Sequence, residues 1–185
     1  MFPTNYDAQV DFIKIRDVKS PNRANPSDAG TDFYVPNYTP EFASDLIKKN
    51  ANRDLRYEIK DESDGTKLYV TIMPHEQLLI PSGIKVHIHD KDTYLLADNK
   101  SGIATNSKLF VGANTIDADY HGECHLHVIN FSNEPTKVWT GMKIVQLKQE
   151  LKYDTKWNEV SEEEYAELAS KSIRGEGGFG SSTLK

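Results

Sequence analysis

The amino-acid sequence predicts an all-β domain, built as a sandwich or barrel with few helices. Strand-like apolar segments are short and numerous, and most of them are bounded by Pro or Gly. One segment, residues 122–131, alternates in polarity and places Cys124, Leu126 and Val128 on one face of a strand. Such alternation is typical of a half-buried sheet, so we expect that face to contact the core.

The predicted strands follow one another closely along the chain. In order, they cover residues 10–15, the part of 28–36 that follows a glycine-containing turn, 68–73, 77–80, 84–88, 122–131 and 141–147. Asp64 and Gly65 separate two strand-like runs and predict the turn of a hairpin.

The first predicted helix begins after Thr39, which can cap its N-terminus, with Pro40 in the first turn. Phe42 and Leu46 are four residues apart and therefore share one face, and Asn50 is a stop signal.

A second helix is predicted after Ser161, which forms a capping-box pattern with Glu164. Tyr165 and Leu168 follow as its apolar residues. A third, short helix is predicted near Ser101.

The overall composition narrows the possible functions. The chain has 185 residues and a net charge of −6, and its apolar runs are too short to cross a membrane. An acidic chain is not expected to bind nucleic acid, because such binders are usually basic. The first residues lack the features of a signal peptide, so we expect a cytoplasmic protein, also nuclear if the source is eukaryotic, or in the host cytoplasm if it is viral. The single cysteine, Cys124, excludes an intrachain disulfide.

The C-terminal segment 174–183 combines groups suited to a nucleoside polyphosphate. Arg174 offers a planar fork for phosphate oxygens, and Phe179 offers a flat face on which a base can stack. Glycines let backbone N–H groups approach an anion, and hydroxyl groups add donors. These residues include Gly178, Gly180, Ser181 and Ser182. The alternative is a flexible tail without a role, since Gly/Ser segments are common linkers.

Two internal segments carry further candidate groups. Asp117 and Asp119 follow a turn at Asn114, and on a strand they would share a face, where carboxylates can bind Mg²⁺ or position a water. The alternative is a solvated loop. Lys100 and Ser101 precede a glycine and a short helix, an arrangement that favours phosphate but is too short for a P-loop.

Five segments, taken in order, resemble the five motifs of the trimeric dUTPase family. They are residues 29–33, 100–104, 114–123, 141–147 and 174–182. The sequence departs from the family pattern at Lys100, where arginine is usual, and at His121, which is often arginine. The stretch between the first two motifs is longer than usual. We place an insertion at about 37–70 and expect its helix and hairpin to decorate the rim of the core fold.

The resemblance implies a distorted jelly-roll β-barrel and a homotrimer with exchanged C-terminal arms, in which each active site is built from all three chains. It implies hydrolysis of dUTP to dUMP and pyrophosphate with Mg²⁺ as cofactor, which limits uracil in DNA and supplies dUMP for dTMP synthesis. Asp117 would activate the water that attacks the α-phosphorus, and Asp32 would hold the metal through its waters. The implied substrate contacts are Lys100, Ser101, Gly102, Asn114, Thr115, Ile116, Tyr120, Gln146, Arg174, Gly178, Phe179, Gly180, Ser181 and Ser182.

Base and sugar specificity are implied in the same way. The hairpin from Asn114 to Tyr120 would pair with the uracil edge and leave no room for a 5-methyl group. Tyr120 would pack under the deoxyribose, and Phe179 would cover the uracil when the tail closes.

We expect one domain over residues 1–185, with an arm at about 171–185, and an insertion on which a protein partner can dock. Two alternatives remain open: a dCTP deaminase-like enzyme, and a regulatory protein on a dUTPase scaffold. A zinc site at the pairs His87/His89 or His125/His127 is a third reading, but no cysteine or carboxylate pattern completes it.

Overall fold

The computed structural model describes residues 8–51 and 54–173 of the chain. Strands dominate the described residues, as the sequence predicts for the all-β class. They are β1 (Val10–Lys14), β2 (Thr31–Tyr34), β3 (Arg56–Glu62), β4 (Gly65–Ile72), β5 (Gln77–Ile88), β6 (Thr93–Asn99), β7 (Leu109–Val111), β8 (Thr115–Ile116), β9 (Glu123–Asn130), β10 (Thr136–Trp139) and β11 (Lys143–Leu151). The helices are α1 (Pro40–Lys49), a π-helical turn (Ile103–Ser107) and α2 (Glu162–Ser170). None of these helices is long and apolar enough to cross a membrane.

The strands form three antiparallel sheets. Their orders are β1-β5-β9-β7, β10-β4-β3 and β2-β11-β6-β8. The chain divides after Lys152 into two compact units, and all eleven strands belong to the first. The expectation of one domain with an arm stays a prediction.

Side chains alternate between core and solvent along the central strands. In β9, Cys124, Leu126 and Val128 are buried, as predicted, while the residues between them are partly exposed. Burial raises the pKa of the Cys124 thiol to about 11, so this cysteine is a small apolar core residue and not a thiolate.

Helix α1 has the predicted bounds and caps. The Thr39 hydroxyl oxygen accepts a hydrogen bond from the Phe42 N–H at 3.1 Å. At the other end, Asn50 is buried and its side chain donates to the carbonyls of Leu46, at 2.8 Å, and Leu79 of β5, at 2.9 Å. This helix is therefore bonded to the central sheet.

The predicted insertion differs from the expectation of a rim decoration. Phe42 and Leu46 of α1 belong to the hydrophobic core, and so do Leu68 and Val70 of β4. Among the helix and strands described in this segment, β3 is the one that is mostly exposed. The hairpin turn falls at residues 63–64, and Gly65 follows it with a positive φ of 123°. The helix and β4 are core elements because their apolar residues surround one small cavity together with Leu78 and Ile80 of β5.

The second unit contains α2 among its described residues. Its predicted capping box is present, with Ser161 accepting from the Glu164 N–H at 3.2 Å and Glu164 accepting from the Ser161 N–H at 3.0 Å. No residue of α2 is buried.

Candidate active site

Asp32 of β2 is a buried carboxylate held between two lysines. The residue is 3% exposed, one side-chain oxygen contacts the Lys100 ammonium, and the other accepts from Lys143 Nζ at 2.9 Å. Burial by itself would raise the pKa of Asp32, but the hydrogen bonds from Lys100 and Lys143 hold it below its ordinary value. The site therefore combines one negative and two positive charges.

Sheet topology explains this meeting of distant residues. Strand β11 lies between β2 and β6, so Lys143 at its first residue and Lys100 just after β6 both reach Asp32. The pairing of β11 with β2 contains a β-bulge between Lys143 and Val145. On a regular strand, Lys143 and Gln146 would point to opposite faces; the bulge re-aims Lys143 toward the face that carries Asp32.

An open groove of about 520 Å³ lies beside this cluster. Lys100 and Lys143 line it, together with Gly102 and the polar residues Asn106 and Ser107. Ile103, Trp139 and Met142 add apolar lining. The two cations and the polar side chains beside them suit an anion such as a phosphate.

Ser101 and Gly102 begin the short helix that the sequence predicts near this position. The Ala104 N–H donates to the Lys100 carbonyl at 2.9 Å, and the Thr105 hydroxyl donates to the Ser101 carbonyl at 2.7 Å. Ser101 is exposed at the start of this turn, where backbone N–H groups lack helical partners.

Gln146 lies opposite Asp32 in the β2–β11 pair. Its side-chain amide donates to the Asn99 carbonyl at 2.7 Å. Gly30 is required for this placement, because a Cβ atom at residue 30 would lie 2.5 Å from the Gln146 side-chain oxygen.

The segment that the sequence predicts as a hairpin is a connection between two sheets, because β7 pairs with β9 and β8 pairs with β6. The prediction of a hairpin is therefore wrong, since the two strands do not pair with each other. At the tip of this connection, Ala97 N–H of β6 donates to the Asn114 carbonyl at 2.7 Å, and the Ala113 N–H donates to His127 Nδ1 at 2.8 Å. Thr115 and Ile116 form β8 and pair with β6. These bonds fix the backbone of a segment whose residues 113–115 are exposed to solvent.

Asp117 is an exposed residue immediately after β8, and its carbonyl accepts from the Tyr120 N–H at 3.0 Å. Asp119 lies in the same turn and pairs with Lys91, so the two carboxylates do not share a strand face as the sequence suggested. The Tyr120 hydroxyl donates to the Glu123 carbonyl at 2.9 Å, and its ring covers Gly122.

The predicted site residues form two separate groups within the first unit. Asp32 of β2 lies opposite Gln146 of β11, which lies opposite Asp98 of β6, whereas Ile116 of β8 lies opposite Leu95 of β6. Strands β2 and β8 are three strand spacings apart, which corresponds to about 14 Å across the sheet. Asp98 and Leu95 are three residues apart, which corresponds to about 10 Å along it. The tail residues Arg174, Gly178, Phe179, Gly180, Ser181 and Ser182 lie outside the described residues.

Sequence reasoning did not identify Lys143 as a site residue, although it lies within the segment that resembles the fourth motif. No sequence signal marks the bulge that redirects it. Among the described residues, no group of three or more His, Cys, Asp or Glu side chains is arranged to hold a metal ion. The nitrogens of His127 are bonded to Ala113 and Gln77, which gives that histidine a structural role.

Comparisons with known proteins agree with this architecture. A family model described as dUTPase matches residues 57–183. The deoxyuridine 5′-triphosphate nucleotidohydrolase of Haemophilus influenzae (strain PittEE) is 32% identical over 155 residues, covering 83% of this chain and 89% of that protein. The corresponding protein of Wolbachia pipientis subsp. Culex pipiens (strain wPip) is 36% identical over 129 residues, covering 65% of this chain and 81% of that protein.

Solved structures show the same fold. The Staphylococcus bacteriophage 80alpha dUTPase with dUPNHPP has a TM-score of 0.65 at 20% identity, covering 94% of this chain and 97% of that one. A mutant dUTPase from phage phi11 of S. aureus, described with a structural Mg(II) ion, has a TM-score of 0.58 at 16% identity, covering 83% of this chain and 97% of that one. These similarities confirm the predicted dUTPase-like β fold.

Proposed function

The chain belongs to the dUTPase family, and on that premise we propose that it hydrolyses dUTP to dUMP and pyrophosphate, with Asp117 activating the attacking water. The observation that carries the proposal is the cationic groove at Asp32, Lys100 and Lys143. Residues from the segments 100–107 and 139–143 line it, Asp32 of β2 contacts its two lysines, and its positive charges suit a triphosphate.

The phosphates bind along the groove. Lys100 supplies positive charge, while Ser101 and Gly102 supply a hydroxyl and backbone N–H groups at the start of a helical turn. Gln146, fixed by its bond to Asn99, holds an ordered water or a phosphate oxygen.

The uracil base binds at the connection of residues 112–116. Backbone groups of Asn114, Thr115 and Ile116 pair with its edge, and the rigid connection excludes the 5-methyl group of thymine. Cytosine presents a donor where uracil presents an acceptor, so buried groups would stay unpaired and the binding would be weaker. Tyr120, held by its hydroxyl bond and by Gly122, packs under the deoxyribose and excludes a 2′-hydroxyl.

The two groups of site residues meet only when chains assemble. Asp117 and the cationic groove are separated within one chain, so a site that contains both needs Asp117 from a neighbouring chain. A closed homotrimer provides three equivalent sites of this kind. Asp117 then removes a proton from the water that attacks the α-phosphorus, and the tail with Arg174 and Phe179 closes over the nucleotide and excludes bulk water.

Asp32 is the residue that would hold a magnesium ion through its waters. A carboxylate has about four acceptor positions and the two lysines each contact one oxygen, so Asp32 would keep acceptor positions for this role. Direct coordination would require displacing a lysine. When bound, Mg²⁺ supplies positive charge that stabilises the leaving pyrophosphate.

The test is pyrophosphate release from dUTP, dTTP, dCTP and UTP, with Asp117→Asn as the inactive control. We expect release from dUTP alone, and a loss of about a hundredfold or more in the variant, as for removal of a general base. Ammonia release from dCTP would identify a deaminase instead. Turnover of dUTP by Asp117→Asn at the wild-type rate would contradict the assigned base.

A further inference from the structure

Two ammonium groups share one buried carboxylate at the wall of the groove. Each lysine has about three N–H donors and uses one on Asp32, so donors remain on both. The side chains of Lys143 and Lys100 are 39% and 19% exposed, and both line the groove. Their free donors are therefore accessible to a ligand that enters it.

A single lysine is a point charge that cannot fix the orientation of a phosphate, whereas an arginine fork can. Two ammonium groups held by the two oxygens of one carboxylate present donors in two defined directions. The bulge in β11 provides this arrangement, because it turns Lys143 to the face of Asp32. Lys143 thus adds the second contact point that Lys100 alone lacks.

We propose that Lys143 is a second phosphate-binding residue and that Asp32 positions Lys143 and Lys100 as a two-lysine clamp for a polyphosphate. This rests on the proposed function, since the polyphosphate is that of the nucleotide substrate. The clamp binds phosphate without a metal ion. This distinguishes the positioning role of Asp32 from a role that is limited to metal binding.

The same strand offers a matched control. Lys148 of β11 also pairs with an aspartate, Asp98, at 2.8 Å, but it does not line the groove. Lys143→Met and Lys148→Met therefore each remove one positive charge from β11, but only Lys143→Met removes a residue of the clamp. Lys143→Arg keeps the charge and tests for rescue.

The experiment measures binding of a non-hydrolysable dUTP analogue by calorimetry, in EDTA and in Mg²⁺, with deoxyuridine titrations by NMR as the phosphate-free reference. We expect Lys143→Met to weaken binding of the analogue about tenfold or more in both buffers, since charge-assisted hydrogen bonds are the stronger ones. Deoxyuridine binding stays unchanged, Lys148→Met matches the wild type, and Lys143→Arg keeps most of the affinity. Asp32→Asn should also weaken binding of the analogue in EDTA, because a neutral amide holds the two ammonium groups less firmly.

Each contrary result has a separate meaning. Unchanged affinity of Lys143→Met for the analogue overturns the clamp, and so does an equal loss for deoxyuridine, which indicates a general disturbance of the fold. If Asp32→Asn loses affinity for the analogue only when Mg²⁺ is present, the positioning role of Asp32 is overturned. Failure of the wild-type protein to bind the analogue contradicts the proposed function itself.

Discussion

At the scale of single residues, Asp32 links the charge of the site to the stability of the fold. Its pKa lies below the ordinary value of 3.8 because the hydrogen bonds from Lys100 and Lys143 outweigh the effect of burial. A depressed pKa means that the folded chain prefers the ionised form more strongly than the unfolded chain does. The resulting stabilisation is complete above the ordinary pKa and is lost as the pH falls through the lower, folded value.

Asp32→Asn should therefore lower the free energy of unfolding at pH 7 by about 2–4 kcal/mol, since it removes one partner of a buried ion pair. The difference from the wild-type protein should shrink as the pH falls below 3.8. Asp98→Asn is the control, because the Asp98–Lys148 pair is more exposed and should cost less than about 1 kcal/mol. Urea unfolding at pH 7 and pH 3 measures both, and a constant difference between Asp32→Asn and wild type would contradict the account.

Residue types alone predict part of this chemistry. The sequence indicates Asp32, Lys100 and Gln146 through their motifs, and the structure pairs Asp32 with Lys100 and places Gln146 opposite Asp32. It does not indicate Lys143, because a bulge, rather than residue identity, decides which face that side chain takes. Nor does it predict that Asp119 pairs with Lys91, which depends on a turn replacing the expected strand.

At the scale of helices and strands, the segment of residues 37–70 divides into a core part and an exposed part. Leu46 of α1 is 2% exposed, whereas Ile59 of β3 is 46% exposed. Local signals predict both elements, because a cap, a first-turn proline and a turn glycine act within a few residues. Whether an element is buried depends on partners far along the chain, such as β5 for α1 and β10 for β4.

Leu46→Ala should lower the free energy of unfolding by about 2–5 kcal/mol, because it leaves a cavity in a packed core. Ile59→Ala should change it by less than about 1 kcal/mol, since the side chain is largely solvated. Chemical denaturation of both variants measures this contrast. Equal losses would mean that the whole segment is packed to the same degree.

Some strands escape prediction for a physical reason. Strand β6 buries Thr93, Leu95 and Ala97, but a threonine and an alanine make a weak apolar pattern. Strands β7 and β8 are too short for any periodicity. Residues 77–88 form one strand, β5, whose pairing shifts between Pro81 and Lys85, so the Pro-Ser-Gly sequence resembles a break.

At the scale of the whole molecule, the proposed homotrimer with exchanged C-terminal arms makes a testable prediction about assembly. A 1:1 mixture of Asp117→Asn with a chain lacking residues 174–185 contains no intact chain. If each site takes residue 117 and the tail from different chains, random assembly restores activity at about a quarter of the sites.

The measurement is dUTP hydrolysis after the two inactive variants are denatured together and refolded, with each refolded alone as the control. Recovery in the mixture supports shared sites. A mixture that stays inactive while wild-type protein recovers under the same treatment would show that residue 117 and the tail act within one chain. Sequence alone reaches the trimer only by resemblance, because a shared site leaves no local pattern in one chain.

The tight approach of Gly112 to His127 has a consequence for how this chain can change over generations. A Cβ atom at residue 112 would lie 2.1 Å from the His127 ring nitrogen that accepts from Ala113. A lineage that first shortens the side chain at 127 can afterwards accept alanine at 112. If alanine appears at 112 first, the segment around residue 112 must shift away from the His127 ring. The order of the two substitutions is therefore constrained by this contact.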